Sequence, residues 1–165
     1  MAKFNVSWST NNAVFSGEKE AGDVFTTDDV LECLRPAAIQ LVEYYKQAIR
    51  RLFKRRSGSF EDSIDFDDDT VSSYAFIVVK PFGNHKGSMY TRKSRAGPAG
   101  RKYAKHNRSP AKKKLKNEEL GYLLEHGTPR IAPTHWMENT NEQVEEEIQD
   151  IIEAEFNKLL DKKGL

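Results

Sequence analysis

The segment "SGSFEDSIDFDDDTVSSYAFIVVKPF", residues 57–82, decides the fold class. A Ser-Gly turn opens it, Ile64 and Phe66 alternate with acidic residues, a polar turn is expected near Asp68 to Thr70, and "YAFIVV" follows. Alternation with a period of two, interrupted by a polar turn, specifies a β-hairpin. The second strand is almost wholly apolar and is therefore expected at the centre of its sheet. Pro81 lacks the N–H that a ladder needs, so it ends the strand or lies at its edge.

On the N-terminal side, "FNVSW" places Phe4, Val6 and Trp8 on one face and predicts a further strand. "NNAVFSGEKEAGDVF", broken by Gly17 and Gly22, reads as a turn or a second short strand. Between these and the hairpin, Ala38, Val42, Tyr45, Ile49 and Leu52 or Phe53 recur at steps of three and four, the period of a long amphipathic helix. Pro36 would remove a hydrogen bond from a helix interior, so the main helix is expected to begin near Arg35, after a short turn capped by Thr27 or Asp28. The basic run "RRLFKRR" suits its C-terminal dipole.

On the C-terminal side, "NEELGYLLEHGTP" predicts a compact helix. Asn117 is its expected cap, Glu118 and Glu119 occupy the first turn, Leu120, Leu123 and Leu124 share a face, and Gly127 with Pro129 stops it. Gly127 and Thr128 are expected to set a chain reversal that places the linker "PRIAPTHWM", in which Trp136 and Met137 are anchors in the core or at an interface. The last segment carries Val144, Ile148, Ile151, Ile152, Phe156, Leu159 and Leu160 on one stripe, with Thr140 and Gln143 as a capping box. Strands clustered between helices, without regular alternation, predict an α+β domain: a small, mainly antiparallel sheet packed by two long amphipathic helices and a short one. One domain over residues 1–165 fits the length.

Composition narrows the class further. Cys33 is the only cysteine, which excludes an internal disulfide, argues against a structural zinc and points to a reducing cytoplasmic origin with a buried thiol. No run of about 18 apolar residues exists to span a bilayer, and "MAKFNVSWST" is no signal peptide, so a soluble protein without a membrane partner is expected. None of the four histidines falls in a metal-ligand motif, the glycines form neither GxGxxG nor a Walker loop, and Asp65, Asp67, Asp68 and Asp69 lack the glycine and glutamate of a calcium loop. "KHNR" at 105–108 shares residues with part of a nuclease signature but has neither its second histidine nor an acid nearby. No metal, cofactor or catalytic residue is expected.

Charge is the remaining signal. Residues 83–117 hold 12 of the 26 Lys and Arg until the helix begins, and no acid, so the rest of the chain carries 14 basic residues against 25 acidic ones. An acidic body thus bears a basic arm, formed by Lys86, Tyr90, Arg92, Lys93, Arg95, Arg101, Lys102, Tyr103, Lys105 and Arg108 among others. Three readings stay open for it: a nucleic-acid-binding segment that tracks phosphates and stacks tyrosines on bases, a hairpin about "AGPAG" that lies on the acidic surface of an adjacent subunit, and an unstructured loop.

Three landmarks stand in an order that resembles one family. "SGSFEDSI" resembles its Thr-Gly-x-Leu-x-x-Ser-Ile turn and strand, "YLLEHGT" its Tyr-, Glu- and Gly-Thr-containing segment, and "IAPTHWM" its linker before a final acidic helix. The family is the minor tail component, or tail-completion protein, of long-tailed bacteriophages. Ser57 and Phe60 replace the family's threonine and leucine, "THWM" replaces an arginine-proline-phenylalanine run, and the basic arm is longer than the family's. The resemblance implies a non-enzymatic virion protein of the head–tail junction or tail top, made in the host cytoplasm. It also implies a homo-oligomeric ring around the DNA channel, contacts with other neck, connector or tail-tube proteins, and transient, non-specific contact with DNA. A nucleic-acid-binding module is the alternative, and a metal-dependent nuclease a third.

Overall fold

The computed structural model describes residues 3–8, 13–18, 25–53, 58–71, 74–84 and 115–164. The hairpin is present as β3 (Ile64–Val71) and β4 (Tyr74–Pro81). Two strands precede it, β1 (Lys3–Trp8) and β2 (Ala13–Glu18), so the turn-or-strand alternative resolves to a strand. All neighbours are antiparallel in the order β1-β2-β4-β3, which puts the apolar strand β4 in the interior as its composition requires. Pro81 is its last residue.

The polar turn expected at Asp68 to Thr70 is strand instead. Asp68, Asp69 and Thr70 pair with Ile77, Phe76 and Ala75, leaving only residues 72–73 between the strands. Three aspartates are tolerated because Asp65, Asp67 and Asp69 point to solvent from an edge strand, where charge costs little. Asp68 faces the helical side and is held there by Arg35, whose guanidinium lies 2.7 Å from its carboxylate.

The first helix, α1 (Thr27–Leu52), is continuous, contrary to the start expected at Arg35. Thr26 accepts a hydrogen bond from the Asp29 N–H and Asp29 accepts one from the Thr26 N–H, a reciprocal cap that fixes the first turn eight residues before Arg35. Pro36 leaves the carbonyl of Glu32 without its helical donor, but Glu32 is exposed and water can replace the lost N–H. Burial of Val30, Leu31, Cys33 and Leu34 holds the turns before the proline in place. At the other end Phe53 packs on the core and Leu52 is exposed, settling that alternative. Arg50 donates to buried Glu61 over 2.6 Å and ties the helix end to the turn before β3.

Adjacent residues of α1 are buried in pairs: Val30–Leu31, Cys33–Leu34, Ala37–Ala38 and Leu41–Val42. Consecutive helical residues point about 100° apart, so the apolar arc is too broad for one interface. It packs on β2, β3 and β4 on one side and on α3 (Trp136–Lys163) on the other. The long helices were expected to lie together on the sheet; α1 is the middle layer of three, and α3 reaches the core chiefly through it. Val144, Ile148 and Ile152 join the main core, with Tyr45 donating to Asn141 over 2.6 Å in its interior. Phe25, Cys33 and Leu159 form a second, smaller cluster with Phe156 and Leu160 packed on it.

Lys163, in the last turn of α3, lies 2.6 Å from Asp29 and so closes the far end of the α1–α3 pair. Burial pushes the Asp29 carboxyl up, but the hydrogen bond from Lys163 and those from Thr26 outweigh it and hold the group at about 2, below its ordinary 3.8. A depressed carboxyl stabilises the fold above its unfolded value and loses that contribution as pH falls through the folded one. Lys163→Met should therefore cost about 1–2 kcal/mol at pH 6, and the difference from the parent should close between pH 4 and pH 2 when urea unfolding is followed.

Candidate functional site

The short helix α2 (Asn117–His126) meets the core along a narrow line. Its buried residues are Asn117, Gly121 and Glu125, each four apart on one helical face, while Leu123 is exposed and Leu120 and Leu124 are only half-buried. Of the leucines read as sharing a face, Leu124 packs at the margin of the main core, and the fully buried line lies beside them. Gly121 explains the difference: a Cβ there would lie 3.2 Å from Pro81, 3.5 Å from Phe60 and 3.8 Å from Trp136, so the missing side chain lets the helix backbone approach all three. Asn117 is the first helical residue, not the cap. Its amide donates to the Phe82 carbonyl over 2.7 Å, and the Lys116 N–H is capped by the Glu119 carboxylate at 3.1 Å.

Glu125 is 1% exposed and is the centre of the arrangement. Its two carboxylate oxygens accept from the backbone N–H groups of Met137 at 2.8 Å and Glu138 at 3.1 Å, the first turn of α3. A carboxylate at a helix N-terminus satisfies orphan donors and meets the positive end of the helix dipole. The capping box expected from Thr140 and Gln143 is not there: α3 starts four residues before Thr140, whose hydroxyl donates to the Trp136 carbonyl within the helix. A buried glutamate from another helix caps α3 in its place.

The linker is folded to deliver α3 to that glutamate. Gly127 takes φ +74°, and a Cβ on it would lie 2.5 Å from the Ile131 carbonyl oxygen and 2.6 Å from the Pro133 nitrogen. Thr128 and Ile131 exchange backbone hydrogen bonds of 2.8 and 3.1 Å, and the Thr128 hydroxyl accepts from the Arg130 N–H, closing a tight reversal. Thr134 then donates through both its N–H and its hydroxyl to the Leu124 carbonyl, and the His135 N–H to the Glu125 carbonyl. His135, at φ +48°, swings the chain into α3. Trp136 and Met137 are both 1% exposed, which places Trp136 in the core of this chain. Its ring meets Tyr45 and Phe60 edge-on at centroid distances of 5.3 and 6.2 Å.

Glu125, His135 and Glu138 bring ligand-type atoms within 4.8 Å of one another. Both Glu125 oxygens already accept backbone N–H groups, and a cation would face the positive end of α3, so the cluster's chemistry is that of a cap. Near the other end of α3, a shallow pocket of about 190 Å³ is lined by Glu32, Cys33, Glu155, Lys158, Leu159 and Lys162. Burial, with Glu155, Asp29 and Glu32 nearby, pushes the Cys33 thiol up to about 11, so it stays protonated and unreactive.

Three stretches far apart in sequence thus converge on one clamp: Phe60 from the turn before β3, Gly121 and Glu125 from α2, and Trp136 and Met137 from the start of α3. No family model, curated protein or solved structure matches the chain.

Lys86, Tyr90, Arg92, Lys93, Arg95, Arg101, Lys102, Tyr103, Lys105 and Arg108 lie outside the described residues, but the root of their segment does not. Asn84 and Lys116 form an antiparallel bridge, and the Asn117 N–H donates to the Gly83 carbonyl over 2.9 Å, so both ends of the arm leave from one point beside α2. The acidic body is described. From Trp136 to Asn157, α3 has eight Asp or Glu and no Lys or Arg, with Glu142, Glu146, Asp150 and Glu153 exposed. Among the described residues no helix is long and apolar enough to cross a membrane. Glu125 and Gly121 were not singled out in the sequence, although both lie four residues apart on a helix whose leucines fall elsewhere, and that spacing is a readable signal.

Proposed function

We propose that the chain is a structural virion subunit of a long-tailed phage, acting at the head–tail junction or tail top in tail completion, neck or connector assembly. Copies associate in a closed ring around the DNA channel and meet other neck, connector or tail-tube proteins; the protein is made in the host cytoplasm and works in the particle. The observation that carries this reading is the clamp. The three segments that resemble the tail-completion family are the ones that meet there, and their polar atoms hold backbone groups in place. A fold held at that junction offers an acidic helix and the root of a basic segment, two unlike parts of the kind a head-to-tail ring requires.

Sedimentation of the purified 18.9 kDa chain at tens of micromolar and low salt tests this. One species of fixed subunit number, with a central opening in negative stain, is expected; a monomer throughout would contradict it. The alternative, a nucleic-acid-binding module, is favoured by the basic segment alone and predicts tight duplex binding that weakens steeply with salt. The structural reading predicts only weak, sequence-independent binding in the same titration.

A further inference from the structure

The sheet has two faces, and among the described elements α1 alone packs across several strands of it. In β4, Ala75, Ile77 and Val79 are fully buried toward α1, so Phe76 and Val78 point the other way. Val14 of β2 pairs with Val78 and shares that face. These three side chains are partly exposed and belong to neither apolar cluster. Alongside them runs an acidic row on β3: Asp67 opposite Val78, Asp69 opposite Phe76, and Asp65 opposite Lys80. Aspartates on an edge strand deter unwanted strand pairing, but that role does not account for a partly exposed apolar strip in the middle of the sheet that none of the described helices packs across.

We infer that this face receives the basic, tyrosine-bearing segment, residues 86–108, of a second copy of the chain. The segment has eight Lys or Arg, no acid, and two tyrosines. Its cations match the aspartate row, and its aromatic rings match the strip formed by Val14, Phe76 and Val78. Length lets the segment pass beyond its own sheet to a neighbour, and the two unlike surfaces that a ring needs favour the neighbour. The 31 residues between Asn84 and Lys116 start and end at one bridge, so about fifteen lead out and as many return, a reach of up to about 50 Å. The eight residues of β4 cover only about 26 Å. This inference rests on the ring reading, which brings a neighbour within that reach, and it names the surface used.

Disulfide capture between two differently tagged variants tests it. Asp67→Cys and Tyr103→Cys proteins are mixed, allowed to exchange subunits at low salt, and oxidised; the parent chain with buried Cys33 alone is the control. A mixed-tag disulfide dimer is expected, at least tenfold more abundant than with Glu146→Cys on the solvent face of α3, and suppressed by 0.5 M salt. Preferential capture by Glu146→Cys, or oligomers that form with no Asp67 capture, overturns the inference and leaves the ring reading standing. An Asp67→Cys/Tyr103→Cys double variant that closes only within single chains also overturns it. A chain that never oligomerises ends both. As a second readout, replacing Asp65, Asp67 and Asp69 together with Asn should weaken assembly by about ten- to a hundredfold with an unchanged circular dichroism spectrum; unchanged assembly overturns the inference.

Discussion

Replacing Glu125 with alanine lowers the thermal midpoint by about 6–12 °C. The substitution leaves the N–H groups of Met137 and Glu138 without acceptors at a buried helix start, at a cost of about 3 kcal/mol for two lost charge-assisted bonds and the void beside them. In a domain of this size each kcal/mol moves the midpoint by about 2–4 °C. Glu125→Gln should lose about half as much, because one amide oxygen can still accept while its NH2 faces a donor. Circular dichroism melts at neutral pH read both variants. A shift below 2 °C for the alanine variant would mean that α3 begins without this cap.

Gly127→Ala carries the second large effect, about 3 kcal/mol or more. A positive φ alone costs an alanine about 1 kcal/mol relative to glycine. Here the added Cβ also meets the backbone of Ile131 and Pro133 at 2.5 and 2.6 Å, and backbone atoms cannot swing aside as a side chain does. Gly164 provides the internal comparison, since its φ of +71° is similar but nothing lies within 4 Å of its Cβ position. Gly164→Ala should therefore cost only about 1 kcal/mol in urea unfolding. Equal losses at the two glycines would show that the linker shifts freely, and would remove the close packing on which the clamp depends.

Legible in the sequence were the elements whose own apolar pattern states their place. β4 reads as an interior strand because Ala75, Ile77 and Val79 alternate with residues that are also apolar, and the α3 stripe reads correctly at Val144, Ile148 and Ile152. The α1 start was misplaced because Pro36 was weighed as a helix breaker, whereas a reciprocal Thr26–Asp29 cap and four buried residues outweigh one lost hydrogen bond. The inward line of α2 was hidden because a glycine and a glutamate fill it in place of leucines. Its purpose appears only when Trp136, eleven residues beyond Glu125, is brought back beside Gly121. Long-range caps of this kind have no local pattern: the donor turn and the acceptor belong to different helices.

The proposed role is that of a subunit whose clamp presents surfaces for ring assembly in a phage particle. Cryo-electron microscopy of intact particles that contain the chain tests this most directly. The predicted result is a closed ring of copies around the channel at the head–tail junction or tail top, with the clamp resolved and the aspartate-bearing sheet face covered by a neighbour. A particle with no copy of the fold at that position, or one in which the chain is bound singly to nucleic acid, would contradict it.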